Sequence, residues 1–275
     1  IGEGEDPLSG IANAVNGGRA TMQGGTVYFV DSKGFLFETA APYNKKPTRM
    51  FAAREYRWLD SNESTLYYYQ RYLDNEATEK YGENTFVTRI AEDPIVGRGR
   101  NTLLSLQWED FSSLSITNEV LIYIGYDYAM GRVKLENKGH TDLRMYHAGR
   151  EVQADMALPY NGYVYFREPE TGWLYRAPLD GQLAQPVVEE QVLSFTPARQ
   201  DDEVRLFYAD AEGQVRSVTL EGADPQTLEG VKAGTLNANE HALFYTDLSN
   251  KNRLTMLENA DPEQAAVLSE FAVSQ

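Results

Sequence analysis

The chain has 275 residues, 42% of them hydrophobic and 24% charged, with no cysteine. That composition suits a soluble folded unit, and the lack of cysteine excludes disulfides, zinc–thiolate sites and a thiol nucleophile. Its 41 acidic residues against 25 basic leave a net charge of −16, which disfavours nucleic acid and anionic membranes, both held by clustered Lys and Arg, and suits cations or basic partners.

From the N-terminus, residues 1–12 read as a flexible or clasp segment, and the opening on Ile1 rather than Met suggests an upstream signal or anchor removed from the chain. No apolar run approaches the ~18 residues a membrane helix needs. One phrase then recurs: a short strand, an apolar-aromatic triplet, a turn with Gly or Asn, and a further strand. Arg19-Ala20-Thr21-Met22 precedes Val27-Tyr28-Phe29, followed by Gly34 and Leu36. Arg57-Trp58-Leu59 precedes Leu66-Tyr67-Tyr68, followed by Asn84 and Phe86. Leu114-Ser115-Ile116-Thr117 precedes Ile122-Tyr123-Ile124, followed by Gly131 and Val133. The stretch from Ala154 to Leu158 precedes Val164-Tyr165-Phe166, followed by Gly172 and Leu174. Val192-Leu193-Ser194-Phe195 precedes Leu206-Phe207-Tyr208, followed by Gly213 and Val215. Last, Gly234-Thr235-Leu236-Asn237 precedes Leu243-Phe244-Tyr245, followed by Asn252 and Leu254.

The triplet centres are spaced by 39, 56, 42, 42 and 37 residues. A period near ~40 is the length of one four-stranded propeller blade. A second set of turns keeps step: Leu135-Glu136-Asn137, Leu179-Asp180-Gly181, Leu220-Glu221-Gly222 and Leu257-Glu258-Asn259. Because Glu221 to Gln226 recurs as Glu258 to Glu263, residues 265–269 are expected to form an outer strand rather than a helix. The predicted fold is therefore all-β, a six-bladed β-propeller of four-stranded antiparallel blades, forming one domain over residues 1–275. Phe271-Ala272-Val273 or Ile11-Ala12-Asn13-Ala14-Val15 would close it. A β-sandwich lacks such a period, and a helical repeat would show 3.6 periodicity.

Asn16-Gly17-Gly18-Arg19-Ala20 followed by Gln23-Gly24-Gly25-Thr26-Val27-Tyr28-Phe29 resembles the opening of a bacterial six-bladed propeller domain family of unknown function. That family is named for its likeness to the propellers of low-density-lipoprotein-receptor-related proteins. Phe244-Tyr245-Thr246-Asp247 and Leu206-Phe207-Tyr208-Ala209-Asp210 are similar to the Tyr-Trp-Thr-Asp repeat of those receptors, and Gly172 to Gly181 is similar to the family's Leu-Tyr-Lys and Asp-Gly phrase. The resemblance implies an exported or membrane-anchored protein on the surface of a Gram-positive bacterium. It carries over no catalytic residue. The second repeat departs from it, since Leu66-Tyr67-Tyr68-Tyr69-Gln70 lacks the Asp.

Asp31, Asp210 and Asp247 each end a triplet strand, where an Asp side chain caps the following turn. His140, His147 and His241 lack the spacing of a zinc site, so no cofactor and no metal ligand set is expected, although the acidity could draw Ca²⁺. The departure that points to function is an insertion in the second repeat, residues 71–83, with Tyr72 and Tyr81. The next repeat carries Tyr126, Asp127 and Tyr128 at the equivalent place, and tyrosines in loops suit recognition because a rigid ring offers contact area at little entropy cost. These five residues are the candidate binding site; the alternative is that the rings pack the long loop onto the blade. The expected function is a non-catalytic extracytoplasmic module that binds a protein, peptide or glycan. A carbohydrate hydrolase or lyase would instead need convergent carboxylates at the channel mouth, with Asp155, Glu240 and Asp202 as candidates. A structural spacer would need no site.

Overall fold

The computed structural model describes residues 20–272 apart from 24, 32, 43–44, 51–55, 63, 74, 82–85, 95–100, 108–110, 118, 126 and 240. The strands pair antiparallel in chain order. The first sheet is β1 (Ala20–Gln23), β2 (Thr26–Val30), β3 (Leu36–Ala40) and β4 (Thr48–Arg49). The second is β5 (Tyr56–Ser61), β6 (Thr65–Leu73), β7 (Phe86–Pro94) and β8 (Asn101–Gln107), with a short helix α1 (Asn75–Tyr81) between β6 and β7. The third is β9 (Phe111–Ile116), β10 (Val120–Gly125), β11 (Met130–Lys134) and β12 (His140–Leu143). A hairpin, β13 (Met145–His147) and β14 (Arg150–Val152), leads to the fourth sheet, β15 (Met156–Tyr160), β16 (Tyr163–Arg167), β17 (Leu174–Pro178) and β18 (Gln185–Val188).

The remaining seven strands form one sheet: β19 (Val192–Gln200), β20 (Glu203–Asp210), β21 (Gln214–Val218), β22 (Gln226–Ala238), β23 (Ala242–Asp247), β24 (Arg253–Glu258) and β25 (Ala265–Ala272). Here β22 serves two meanders. Its first part, from Gln226 to Lys232, pairs with β21, and its last part, from Ala233 to Ala238, pairs with β23.

Every triplet lies on the second strand of its meander. The period of two in a strand sends its residues to both faces, and both faces are covered. Tyr28, Leu66 and Tyr68 share a core between the first and second sheets, and Tyr67, Tyr69, Leu121 and Tyr123 one between the second and third. Ile122, Ile124, Val164 and Phe166 join the third and fourth sheets, whereas Tyr165 faces away, toward Phe195, Leu206 and Tyr208. At about 1.5–3 kcal/mol for each fully buried Leu or Phe, these columns between sheets are the main source of cohesion. Buried tyrosines also bond across: the Tyr69 hydroxyl donates to the Ser113 carbonyl at 2.7 Å and that of Tyr165 to the Leu220 carbonyl at 3.3 Å. Burial, reinforced by the charge of Glu92, pushes the Tyr67 phenol up to about 12, and burial pushes that of Tyr165 up to about 12, so both stay neutral.

Two expectations need correction. The insertion at 71–83 is not a loop: β6 and β7 run on as paired strands as far as Leu73 and Phe86, and α1 caps them. That extension accounts for most of the long second interval. Gly131 is not a turn residue either. It sits inside β11 opposite Tyr123, and a Cβ there would meet the Tyr123 ring at 2.1 Å, so its lack of a side chain makes room for the ring. Gly34, Gly172 and Gly213 do occupy turns at positive φ. The outer strand over 265–269 is present as part of β25, after a single 3-10 turn at Pro262–Gln264. The clasp segment Ile11 to Val15, and Val273, lie outside the described residues.

The first strands β1, β5, β9, β15 and β19 lie at the edges of their sheets, and side chains there link successive meanders. Thr21 Oγ1 meets Ser61 Oγ at 2.8 Å, linking β1 to β5. The amide of Ile116 on β9 donates to Asp60 Oδ2 on β5 at 3.1 Å. Ser115 Oγ donates to the Ala157 carbonyl of β15 at 3.1 Å. The Arg167 guanidinium on β16 donates to the carbonyls of Val192 and Leu193 on β19 at 3.0 and 2.7 Å. The Leu236 amide of β22 donates to Ser194 Oγ on β19 at 2.9 Å. A buried amide left without an acceptor costs about 1–3 kcal/mol. Ser194→Ala should therefore lower unfolding free energy by about that amount, read as a fall in the urea midpoint with an unchanged slope.

Candidate functional site

One end of the assembly is built from the turns between second and third strands. Their aspartates cap them, as the sequence implied. Asp31 Oδ1 accepts the amides of Lys33 and Phe35, both at 2.9 Å. Asp210 Oδ1 accepts those of Glu212 and Gln214 at 3.1 and 2.9 Å, and Asp247 Oδ1 that of Ser249 at 2.9 Å. Asp127, a candidate binding residue, makes the same bond to the Ala129 amide at 3.1 Å. In the fourth sheet, Glu168 and Thr171 replace the aspartate: Thr171 Oγ1 donates to Glu168 Oε2 at 2.6 Å and accepts the Trp173 amide at 3.1 Å.

The segments entering four of the first strands are tied down on these turns. Tyr56, Ala154, Val192 and Ala233 donate their amides to the carbonyls of Gly34, Tyr128, Gly172 and Gly213 at 3.1, 3.2, 2.9 and 2.7 Å. Between the third and fourth sheets this connection has grown into the β13–β14 hairpin. Arg150 of the hairpin pairs with Glu168 at 2.5 Å and lies 3.5 Å from Glu170. Burial pushes the Glu168 carboxyl up, but the hydrogen bonds from Arg150 and Thr171 outweigh it and leave it below the ordinary value. Just beyond the hairpin, Gln153 Nε2 donates to the Asp127 carbonyl at 3.2 Å.

The Tyr128 turn is thus held from two sides, by its own Asp127 and by Gln153 and Ala154. Tyr128 has φ 64° and is 43% exposed. Tyr72 lies on the extended part of β6, half-buried, with the Arg89 guanidinium over its ring at 4.4 Å. Its aromatic face is engaged within the sheet, which is the packing alternative for this residue. Tyr81 ends α1 and Tyr126 lies outside the described residues, as does the side chain of Tyr81. Of the candidate tyrosine side chains among the described residues, Tyr128 presents an exposed ring and Tyr72 does not.

The two candidate catalytic carboxylates among the described residues, Asp155 and Asp202, lie in different sheets. Asp155 is engaged by Arg167 through Nε and Nη2 at 2.9 and 2.8 Å. Asp155 precedes β15 of the fourth sheet, Asp202 sits in the turn between β19 and β20 of the seven-stranded sheet, and Glu240 lies outside the described residues. Among the described residues no three His, Asp or Glu converge as a metal site, and no helix is long and apolar enough to cross a membrane.

A carboxylate the sequence reading passed over lies deeper. Asp60 is 2% exposed on β5 and accepts the amides of Ser61 and Ile116 at 2.9 and 3.1 Å. Burial raises its pKa well above the ordinary carboxylate value, against the pull of those two amides. The folded chain therefore keeps this proton where the unfolded chain has lost it. Its contribution is fully present below about pH 4 and falls as pH climbs through the raised folded value. Asp60→Asn removes the titration, so the stability of the variant relative to the parent should improve from pH 5 to pH 8. Paired urea titrations at the two pH values check this; a constant difference would contradict it.

No protein-family model matches the chain, and no curated protein matches it. Solved structures do. A YWTD-type propeller in the crystal structure of a nidogen/laminin complex aligns over 90% of this chain and 94% of that one, at 13% identity and a TM-score of 0.54. The computationally designed Ika8 protein aligns over 92% of this chain and 73% of its own, at 9% identity and a TM-score of 0.51. At such identities the likeness concerns the fold: nearly all β, in repeated antiparallel blades of the kind seen in a YWTD-type propeller.

Proposed function

We propose that the chain is a six-bladed propeller of the bacterial family described above, acting outside the cell as a non-catalytic module that recognises a protein, peptide or glycan. What supports six blades is the count of four separate four-stranded sheets plus the two meanders that share β22. The recognition surface is the end that carries the turns between second and third strands.

Tyr128 carries this reading. A bulky residue at positive φ is strained by about 1–3 kcal/mol, and glycine would serve the turn at lower cost. Here the turn holds a tyrosine ring toward solvent, braced by Asp127, Gln153 and Ala154. A ring fixed before binding loses little entropy on contact. The net charge of −16 favours a partner with basic groups. The engagement of Asp155 by Arg167 supports binding over hydrolysis.

The test is a screen of the purified chain and its Tyr128→Gly variant against a glycan array, cell-wall fragments and a basic peptide library. The glycine relieves the backbone strain, so the variant should melt at or above the parent temperature. A ligand of the parent should bind the variant at least ~10-fold more weakly, about 1.4 kcal/mol. Equal binding by both chains would remove Tyr128 from the recognition surface, and turnover of a bound glycan would replace the binding reading with an enzymatic one.

A further inference from the structure

A cavity of about 390 Å³ opens between the third and fourth sheets, with Arg132, Thr141, Asp142, Arg144, Tyr146 and Asp180 in its wall. It does not include Tyr128. Arg132 stands on β11 opposite Ile122, on the face turned to the fourth sheet, and is 8% exposed. Its Nη1 donates to the Leu179 carbonyl, and its buried Nε has no hydrogen-bond partner. Among the described residues it has no carboxylate within ion-pair distance.

The neighbouring junctions show what this position does elsewhere in the repeat. One sheet earlier, Glu92 on β7, opposite Tyr67, reaches Lys138 of the third sheet at 2.5 Å. One sheet later, Arg176 on β17, opposite Tyr165, donates to the Leu220 carbonyl at 3.2 Å and pairs with Glu221 at 2.9 Å. Leu179-Asp180 and Leu220-Glu221 are the same two positions of successive turns. Arg132 therefore makes the carbonyl bond that Arg176 makes and lacks the carboxylate. Asp180, one methylene shorter than Glu221, leaves a space instead of an ion pair. A buried guanidinium without a counter-charge is costly, and this one borders an open volume.

We propose that this cavity binds a small monocarboxylate, whose carboxylate takes at Arg132 the place that Glu221 takes at Arg176. A guanidinium offers a planar donor fork matched to a carboxylate, and Arg144 adds a second positive charge. Asp142 and Asp180 repel a dianion such as phosphate and supply acceptors for hydroxyl or ammonium groups on the rest of the ligand. The volume lies at the low end of the roughly 300–1,000 Å³ of small-molecule sites, which suits one sugar acid or one amino acid.

Isothermal titration of the whole chain with D-glucuronate, L-alanine, acetate and phosphate, at constant ionic strength, tests the proposal. At least one monocarboxylate should bind saturably and more tightly than phosphate. Arg132→Met should weaken that binding at least ~10-fold, about 1.4 kcal/mol. Asp180→Glu supplies the missing partner, so it should weaken binding by a similar factor while raising the melting temperature without ligand. If Arg132→Met fails to fold, the Asp180→Glu pair of readouts decides. Tightest binding of glucuronate assigns a sugar acid, tightest binding of alanine an amino acid, and equal binding with acetate recognition of the carboxylate alone. No saturable binding, phosphate binding as tightly, or variants that bind like the parent would overturn the proposal.

Discussion

The structure depends on the backbone of its first strands. Five of them, β1, β5, β9, β15 and β19, lie at the edges of their sheets, and a buried amide or carbonyl without a partner is expensive. Short polar side chains meet that need from neighbouring meanders: Ser61 at the Met22 carbonyl, Asp60 at the Ile116 amide, Ser115 at the Ala157 carbonyl and Ser194 at the Leu236 amide. Between the fourth sheet and β19 the link is Arg167, which reaches the Val192 and Leu193 carbonyls while holding Asp155. The aromatic triplets supply cohesion between sheets, and these polar links set how neighbouring sheets meet. They also explain why a carboxylate as buried as Asp60 is tolerated: it accepts two backbone amides.

Farther out, the same repeat solves a different problem at three successive junctions. In the second, third and fourth sheets the third strand carries a charged residue that crosses to the next meander. Glu92 meets a lysine, Arg176 a glutamate, and Arg132 only a carbonyl. Side-chain length decides among these outcomes. Departures from a repeat of this kind carry more information than the repeat itself, because the repeat states what each position does when it is purely structural.

The end bearing the turns follows the same logic. Aspartates there are caps, and their recurrence in several sheets is a property of the turn, not of a ligand site. What stands apart is the hairpin grown between the third and fourth sheets, with Arg150 gripping Glu168, and the strained Tyr128 beside it. Neither follows from the requirements of a four-stranded meander.

The sequence alone determined the strand order, the place of each triplet on a second strand, the capping role of Asp31, Asp210 and Asp247, and the outer strand after Pro262. These are local properties: a period of two, turn chemistry and a repeat length can be read along a chain. It misplaced Gly131, because only the register across β10 and β11 shows the Tyr123 ring lying over it. It read residues 71–83 as a loop, because extending a hairpin needs the partner strand to be known. It missed the β13–β14 hairpin, whose residues fit inside an ordinary interval between triplets, although Gly149 in a polar stretch was a turn signal. Asp60 and Arg132 looked like ordinary strand polar residues. Whether such a group is buried, and whether a partner reaches it, is a distance between chain segments far apart in sequence, and only the tertiary structure decides it.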